Sequence, residues 1–215
     1  MKFYYNDNTY NISFGNRKLV SNDETLFFIW NLPAIKTCPY RTPLCEKCCY
    51  ATKAERLYKA VLPSREANLE ASKSETFIAD MILIIEKKLS TMKQKDLVIR
   101  IHESGDFYNR AYAEKWLAIA THFVNDSRVT FICYTKSFVY FDGIKLPENF
   151  RLRASVWADT KPEQIAIIIR NQWPIYTAVE SFTENDTFTQ CRCADCATCG
   201  KCWDKTVPDI RCEIH

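Results

Sequence analysis

Short apolar runs of strand-like composition alternate with longer segments of helical periodicity along most of this chain. Five runs predict strands: TLFFIW (25–30), DLVIRI (96–101), RVTFICY (128–134), FRLRASVWAD (150–159) and PIYTAV (174–179). Apolar residues at helical spacing predict helices over 65–89, 110–123 and 161–172. Because strands that alternate with helices form βαβ units, we predict a single α/β domain over residues 1–215 with a parallel sheet. The architecture we expect is a partial parallel (β/α) barrel, TIM-barrel-like but with fewer strands than the full eight.

Composition and the N-terminal sequence limit the classes of protein to which this chain can belong. Hydrophobic residues make up 47% of the chain and charged residues 26%, as in soluble globular proteins. The net charge of +3 is too small to indicate that the whole chain binds polyanions. The N-terminal residues lack the apolar core of a signal peptide, and no apolar run reaches the ~18 residues that span a bilayer. We therefore expect a cytoplasmic protein without membrane contacts, in which clustered, reduced cysteines bind metal.

Most of the eleven cysteines fall into two groups, and the first group follows the first predicted core strand. This loop, residues 38–49, has the pattern C-x6-C-x2-C-C-Y and contains Cys38, Cys45, Cys48 and Cys49. Three or four thiolates on one loop can hold an iron–sulfur cluster or a zinc ion. Adjacent cysteines do not easily ligate one ion together, so we predict that either Cys48 or Cys49 is a bystander. Three cysteines around a [4Fe–4S] cluster leave its fourth iron open to a substrate or cofactor.

The second group lies in the C-terminal segment 191–212, where the pattern is C-x-C-x2-C-x2-C-x2-C. Its members are Cys191, Cys193, Cys196, Cys199 and Cys202. The two-residue spacings resemble the ferredoxin run that wraps a [4Fe–4S] cluster, and zinc held by four thiolates is the main alternative. A third possibility is that one of these cysteines completes the site of the first loop. Outside both groups stand Cys212 and Cys133, the latter with the pattern of a small buried hydrophobic residue.

Polar residues gather where the predicted parallel strands end. His102, Glu103 and Asp106 directly follow the strand at 96–101. Open parallel sheets and barrels both bind ligands at the carboxyl ends of their strands. We therefore predict that these three residues line the site as catalytic groups, acting as general acids or bases or orienting one another.

Three further residues are candidates for contact with a cofactor or substrate: Tyr50, Ser104 and Lys136. Lys136 follows the strand at 128–134 and has the charge to bind a phosphate or carboxylate. Strand alternation predicts that Arg100, His102 and Ser104 share one face of the sheet.

Two stretches resemble a family of phage proteins. CPYRTPLCEKCCYATKAERLY, followed later by RIHESGDFYNRAYAEKW, is similar to the gene product 88 family. Its loop pattern C-x6-C-x3-C-Y-A matches Cys38, Cys45 and Cys49. The residues that match its R-x-H-x-S-G-D-F motif and its cysteine-rich C-terminus are Arg100, His102, Ser104, Gly105, Asp106, Phe107, Cys196, Cys199, Cys202 and Trp203. The resemblance implies a phage origin, with the host cytosol as the location, more than it implies a reaction.

A wider resemblance is to radical S-adenosylmethionine enzymes, which place a three-cysteine loop after the first strand of a partial (β/α) barrel. Their usual loop is C-x3-C-x2-C, whereas this one begins C-x6-C. The resemblance implies redox or radical chemistry, as a radical enzyme or another iron–sulfur oxidoreductase. It also implies one or two [4Fe–4S] clusters, with S-adenosylmethionine as a further cofactor. The motifs do not specify a substrate.

Two alternatives accompany this interpretation. In the first, the cysteines hold zinc, and the protein is a binding module that recruits nucleic acid or a host protein through Tyr40, Arg41, Lys47 and Tyr50. The basic run KAERLYK (53–59) with Arg65 is a further candidate contact with nucleic acid, although a charged helix face is its commoner explanation. In the second alternative, the cluster is purely structural.

Overall fold

The computed structural model describes residues 1–182, 187–192 and 195–214. The strands are β1 (Lys2–Tyr5), β2 (Asn8–Ser13), β3 (Thr25–Trp30), β4 (Asp96–Ile101), β5 (Val129–Thr135), β6 (Phe150–Val156), β7 (Ile175–Val179), β8 (Thr189–Cys191) and β9 (Ile210–Glu213). The α-helices are α1 (Pro43–Lys47), α2 (Tyr50–Leu57), α3 (Val61–Lys73), α4 (Phe77–Thr91), α5 (Arg110–His122), α6 (Pro162–Asn171) and α7 (Cys196–Cys199). A 3-10 helix spans Phe138–Phe141. Within these described ranges, no helix is long and apolar enough to cross a membrane.

All of these strands join one sheet in the order β1-β2-β3-β4-β5-β6-β7-β9-β8. β1, β2 and β3 pair in antiparallel fashion, and every pairing from β3 onward is parallel. The strands predicted from the sequence are β3 to β7, and they are neighbours in chain order. The prediction of an α/β protein with a parallel sheet is therefore confirmed. The sheet keeps two edges, at β1 and β8, and does not close into a barrel.

The central strands are apolar on both sides, and other elements cover both faces of the sheet. All six residues of β3 are buried. The face that packs against α3 to α6, which we call the helix face, holds the larger core, with Trp30 and Trp116 fully buried. The opposite face, which we call the tail face, consists of Phe27, Ile29, Val98 and Ile132 and packs against Cys196, Ala197, Cys202 and Trp203. These tail residues are partly buried against that face. Since full burial of a large apolar side chain contributes about 1.5–3 kcal/mol, this packing helps to hold the tail on the sheet.

The single helix predicted over 65–89 is wrong, because the chain forms two helices there, α3 and α4. Ser74 ends α3 with an extended ψ of 147°. Its hydroxyl oxygen accepts a hydrogen bond from the Thr76 amide at 3.2 Å. A serine that bonds to nearby backbone competes with the helix for the same amide groups, and apolar periodicity does not reveal this competition.

The sequence-based prediction also lacks the N-terminal hairpin of β1 and β2. Asn6 and Asp7 form its two-residue turn with positive φ angles of 45° and 62°, a conformation that both residue types tolerate. The Tyr10 hydroxyl group donates a hydrogen bond to the Asp80 carboxylate at 2.7 Å, which ties β2 to α4. An Asn-Asp pair between alternating aromatic residues is the sequence signal that identifies such a hairpin.

Candidate functional site

The loop after β3 folds into a turn and the starts of two helices, and each of these carries one cysteine. The Cys38 amide donates a hydrogen bond to the Ile35 carbonyl oxygen at 3.1 Å. Thr42 caps α1 by accepting a hydrogen bond from the Cys45 amide at 3.2 Å. Cys49 is the N-cap residue of α2. The three thiols are half-buried, in the segment that follows the carboxyl end of β3.

These three cysteines influence one another electrostatically. Burial, followed by the Asp106 carboxylate, raises the pKa of Cys38 to about 12, and Cys45 and Cys49 add to the rise. Burial also raises the pKa of Cys45, against the lowering effect of the Lys136 ammonium group, and Cys49 again adds to the rise. Cys38, Cys45 and Cys49 therefore form one group, which we call the loop cysteines.

The HESGD segment fastens the base of this loop to the end of β4. The Ser104 hydroxyl group donates a hydrogen bond to the Leu32 carbonyl oxygen at 2.9 Å, and the Leu32 amide donates to the Ser104 carbonyl oxygen at 3.0 Å. The Asn31 side-chain oxygen accepts hydrogen bonds from the amides of Glu103 and Ser104 at 2.7 and 3.0 Å. Ser104 thus holds the cysteine loop in place, and its contact with a cofactor stays a prediction.

Replacing Gly105 with alanine is expected to lower the free energy of unfolding by about 2–4 kcal/mol, through backbone strain and overpacking. Gly105 has a φ of +80°, and an added Cβ would lie 2.5 Å from the hydroxyl oxygen of Thr37, the residue before the cysteine loop. The matched control is Gly143→Ala, where φ is +72° but no atom lies within 4 Å of the added Cβ. Only strain of about 1–2 kcal/mol is expected there. Urea unfolding compares the two variants, and equal losses would contradict a tight approach at Gly105.

Asp106 is buried and joins the end of β4 to the end of β5. Its carboxylate accepts hydrogen bonds from the Thr135 hydroxyl group at 2.5 Å and from the amides of Phe107, Lys136 and Ser137 at 2.8, 2.9 and 3.2 Å. Burial raises its pKa, and these bonds oppose the rise. The carboxylate is therefore committed to holding two loops together, and its predicted catalytic role is not tested by this geometry.

Lys136 follows β5 and is the cation that acts on Cys45. Its Nζ donates a hydrogen bond to the Ser155 hydroxyl oxygen at 2.9 Å and lies 5.3 Å from the centre of the Trp157 ring. Burial raises the pKa of Cys45, and the charge of Lys136 lowers it. Lys136 is thus placed to counter negative charge at Cys45.

His102 lies on the helix face, so the prediction that it shares a face with Arg100 is wrong. Its φ of +66° turns the chain at the end of β4 and breaks the strand alternation. The Nε2 atom is 2.9 Å from the Tyr112 hydroxyl group, and the ring packs 4.8 Å from that of Phe107. Burial, followed by the charge of Arg100, lowers the pKa of His102 to about 3, so the imidazole is neutral at physiological pH.

Glu103 and Tyr50 meet beside the cysteine loop. The Tyr50 hydroxyl group donates a hydrogen bond to the Glu103 carbonyl oxygen at 2.6 Å. Glu103 is half-buried as a residue, and its carboxylate accepts an exposed hydrogen bond from the Asn16 side-chain amide. Of the three predicted catalytic residues, Glu103 has the least buried carboxyl or imidazole group.

Arg65, a predicted contact for nucleic acid, is buried and serves the fold instead. Its guanidinium group donates hydrogen bonds to the Glu55 carboxylate at 2.8 Å and to the Ala51 carbonyl oxygen at 3.1 Å. Glu55 also accepts a hydrogen bond from the Ala34 amide at 2.8 Å. This buried ion pair fixes α2, and with it the Cys49 end of the loop, to α3.

The cysteines of the tail come together through strand pairing as well as spacing. β8 and β9 are parallel neighbours, with Cys191 opposite Cys212. Burial, followed by Cys202, Cys191 and Cys199, raises the pKa of Cys196 to about 12. Burial raises the pKa of Cys212, and Cys191 and Cys202 add to the rise. We call Cys191, Cys196, Cys199, Cys202 and Cys212 the tail cysteines.

Sequence reasoning missed Cys212, which lies ten residues beyond Cys202 and outside the two-residue repeat. Two tyrosines in ring contact connect it to the rest of the group. Tyr134 and Tyr176 have ring centres 4.3 Å apart with tilted planes. Tyr134 lowers the pKa of Cys202 and Tyr176 lowers that of Cys212, although burial raises both.

Arginines of β6 hold the tail on the tail face of the sheet. The Arg153 guanidinium group donates hydrogen bonds of 2.6–3.1 Å to the carbonyl oxygens of Lys201, Cys202, Val207 and Pro208. Arg151 donates to the Trp203 carbonyl oxygen at 3.2 Å. The Trp203 ring packs edge-on against Phe27 at 5.6 Å. The alternating arginines of FRLRAS are therefore structural anchors of the cysteine-rich tail.

Arg100 lies on the same face and acts on the tail cysteines Cys196 and Cys202. Its guanidinium group stacks 3.7 Å from the centre of the Tyr134 ring. Within the described part of the chain, its buried Nη1 atom has no hydrogen-bond partner. Burial raises the pKa of Cys196 and Cys202, and the charge of Arg100 lowers both.

The described residues do not display a finished metal site. In ranges 1–182, 187–192 and 195–214, no group of three or more His, Cys, Asp or Glu side chains could hold a metal ion as arranged. Cys193 lies outside the described residues. Cys48 is half-buried, and Cys133 is fully buried in the helix-face core, as its apolar strand context indicates. Metal binding by the predicted cysteines stays a prediction.

The fold and these groups define the class of protein: an α/β protein with a mostly parallel sheet, a cysteine-bearing loop after its first parallel strand and a cysteine-rich tail. The model of the family described as "Gene product 88" matches residues 10–205, and the chain belongs to that family. The resemblance to gene product 88 proteins seen in the sequence is therefore confirmed.

Two relatives are gene 88 proteins of mycobacteriophages. The Gene 88 protein of Mycobacterium phage D29 is 31% identical over 118 residues, which are 51% of this chain and 48% of that protein. The Gene 88 protein of Mycobacterium phage L5 is 34% identical over 86 residues, which are 37% of this chain and 36% of that protein. The chain spans about half the length of the first relative and about a third of the second. No solved structure matches it significantly.

Proposed function

We propose that this protein is an iron–sulfur protein that holds a [4Fe–4S] cluster with Cys38, Cys45 and Cys49. The observation that carries the proposal is the position of these cysteines, on one turn and two helix starts directly after the first parallel strand, β3. Parallel α/β proteins bind their ligands at this end of the sheet. When bound, a cluster with three thiolate ligands supplies an iron that is open to a substrate or cofactor, and with it redox or radical chemistry.

The surrounding residues support such a site. The charge of the Lys136 ammonium group lowers the pKa of Cys45 and so favours its thiolate, although burial raises that pKa by more. The Arg100 guanidinium group acts in the same way on Cys196 and Cys202 of the tail. Glu103 is the acid–base residue we favour, because it lies at the same strand end and, unlike the other two predicted catalytic residues, is not buried. His102 faces the helix core, and Asp106 is occupied by four hydrogen-bond donors. Those two residues position the loops in this proposal.

The tail cysteines form the second part of the proposal. Cys191, Cys199 and Cys202 raise the pKa of Cys196, and Cys191 and Cys202 raise that of Cys212, so these thiols lie near one another. They offer all-sulfur ligation for a soft metal, either a second [4Fe–4S] cluster or zinc. The pairing of β8 with β9 adds Cys212 to the candidates named from spacing. Each group has enough thiols for its own site, which favours two sites over one shared site.

A partial barrel and a radical S-adenosylmethionine reaction are the more specific parts of the proposal. Strands β3 to β7 are neighbours in chain order, and α3 to α6 all pack on the helix face. A (β/α) barrel has this winding, whereas a doubly wound sheet carries helices on both faces. S-adenosylmethionine is the cofactor we propose for the open iron, and the host cytosol is the compartment.

The experiment is anaerobic purification followed by analysis of iron, sulfide and zinc, with absorption and EPR spectra. A brown protein with about four or eight irons per chain supports one or two [4Fe–4S] clusters. A change of the reduced EPR signal on addition of S-adenosylmethionine supports the radical reaction. A colourless protein with about one or two zinc ions overturns the proposal and favours the zinc-binding module. A protein that unfolds on loss of the cluster and shows no open-iron chemistry favours a structural cluster.

A further inference from the structure

Helix α2 and the turn after it expose three large side chains. Tyr50, Leu57 and Tyr58 are 62%, 63% and 63% exposed. Tyr50 and Leu57 lie two turns apart on one face of the helix, and Tyr58 follows directly. The helix buries Ala51 instead. These aromatic and apolar side chains therefore add little to the packing of the core.

The same surface is positively charged. Lys53, Arg56 and Lys59 are exposed, and none of them forms an ion pair with any residue that the structure describes. Glu55, the acidic residue of segment 50–62, turns inward to Arg65 at 2.8 Å. The residues of this surface, which we call the α2 surface, are Tyr50, Lys53, Arg56, Leu57, Tyr58 and Lys59.

Cations interleaved with exposed aromatic rings fit single-stranded nucleic acid. Lysine and arginine neutralise backbone phosphates, and unpaired bases stack on aromatic side chains. A duplex hides the faces of its bases, and an acidic protein offers no bases to stack. We propose that the α2 surface binds single-stranded nucleic acid. This goes beyond the iron–sulfur function and does not depend on it, because Lys53, Arg56, Tyr58 and Lys59 are neither proposed metal ligands nor predicted cofactor contacts.

The test is fluorescence anisotropy of the full-length protein with a labelled single-stranded oligodeoxythymidine at several salt concentrations. The triple variant Lys53→Glu/Arg56→Glu/Lys59→Glu is expected to lose at least about tenfold in affinity. The matched control is Lys87→Glu/Lys93→Glu/Lys145→Glu, which reverses three exposed cations elsewhere and changes the net charge equally. A loss below about threefold is expected for the control. For the unmodified protein, three phosphate contacts predict a slope of about −2 for log K against log salt.

A second pair of variants tests the aromatic part. Tyr58→Ala is expected to lose roughly tenfold in affinity if a base stacks on the ring. Tyr4→Ala, which removes a ring that is 70% exposed on β1, is expected to bind as the unmodified protein does. Thermal melting verifies that all four variants are folded. Equal losses in the two triple variants overturn the proposal. The proposal is also overturned if Tyr58→Ala binds with normal affinity and the unmodified protein binds a duplex as well as the single strand. Displacement of the labelled oligonucleotide by polyglutamate as effective as that by single-stranded DNA overturns it too.

Discussion

Serine in place of Cys45 or Cys49 is expected to remove the cluster of the loop, and with it about four irons per chain. Each thiol belongs to the group in which Cys38, Cys45 and Cys49 influence one another. A serine hydroxyl group stays protonated near neutral pH and is a poor ligand for a soft metal. Iron and sulfide analysis of anaerobically prepared variants measures the loss.

The adjacent cysteine supplies the matched control. Cys48→Ser changes the same chemistry one residue before Cys49, and it is expected to retain the full iron content of the loop. Full iron content in both Cys45→Ser and Cys49→Ser would contradict the proposed site. Loss of iron in Cys48→Ser, with retention in Cys49→Ser, would assign the third ligand to the other member of the pair.

Replacing Arg65 with methionine is expected to lower the free energy of unfolding by about 3–5 kcal/mol. The ion pair of Arg65 with Glu55 is only 11% and 13% exposed. Methionine leaves the Glu55 carboxylate buried, with the Ala34 amide as its remaining hydrogen-bond donor among the contacts described. The loss is large because the Glu55 carboxylate stays out of water without a cation to compensate for its charge.

Urea unfolding measures this effect against a surface pair. Arg110→Met removes an ion pair with Glu114 of 2.9 Å whose side chains are 56% and 53% exposed, so less than about 1 kcal/mol is expected. The double variant Glu55→Leu/Arg65→Met is expected to recover part of the loss, because it removes the stranded charge. A loss in Arg65→Met no larger than in Arg110→Met would show that the buried pair does not anchor α2.

Several contacts of the cysteine loop hold it in position. Ser104, Asp106 and Arg65 each connect a different element to the cysteine loop or to the strand end beside it. A cysteine loop that binds a cluster must hold its thiols close together before the cluster assembles, and buried hydrogen bonds supply that rigidity. In the proposed function, the residues of the HESGD motif therefore position the cluster ligands, and only Glu103 is expected to touch a substrate.

The sequence by itself determined the class of fold and the first cysteine group. Strand β3 is a continuous apolar run, since a strand buried on both faces needs apolar side chains on both. The cysteine loop was visible because its ligand candidates lie within twelve residues. Local sequence therefore sufficed to predict those features whose residues all lie within one short segment.

Only the tertiary structure decided which side chains meet. Cys212 joins the tail cysteines because β9 pairs with β8, and Arg65 turns inward because Glu55 lies across from it on α2. A single positive φ at His102 moved that residue from the tail face to the helix core. These outcomes depend on contacts between distant segments and on one backbone angle, which apolar periodicity and cysteine spacing do not encode.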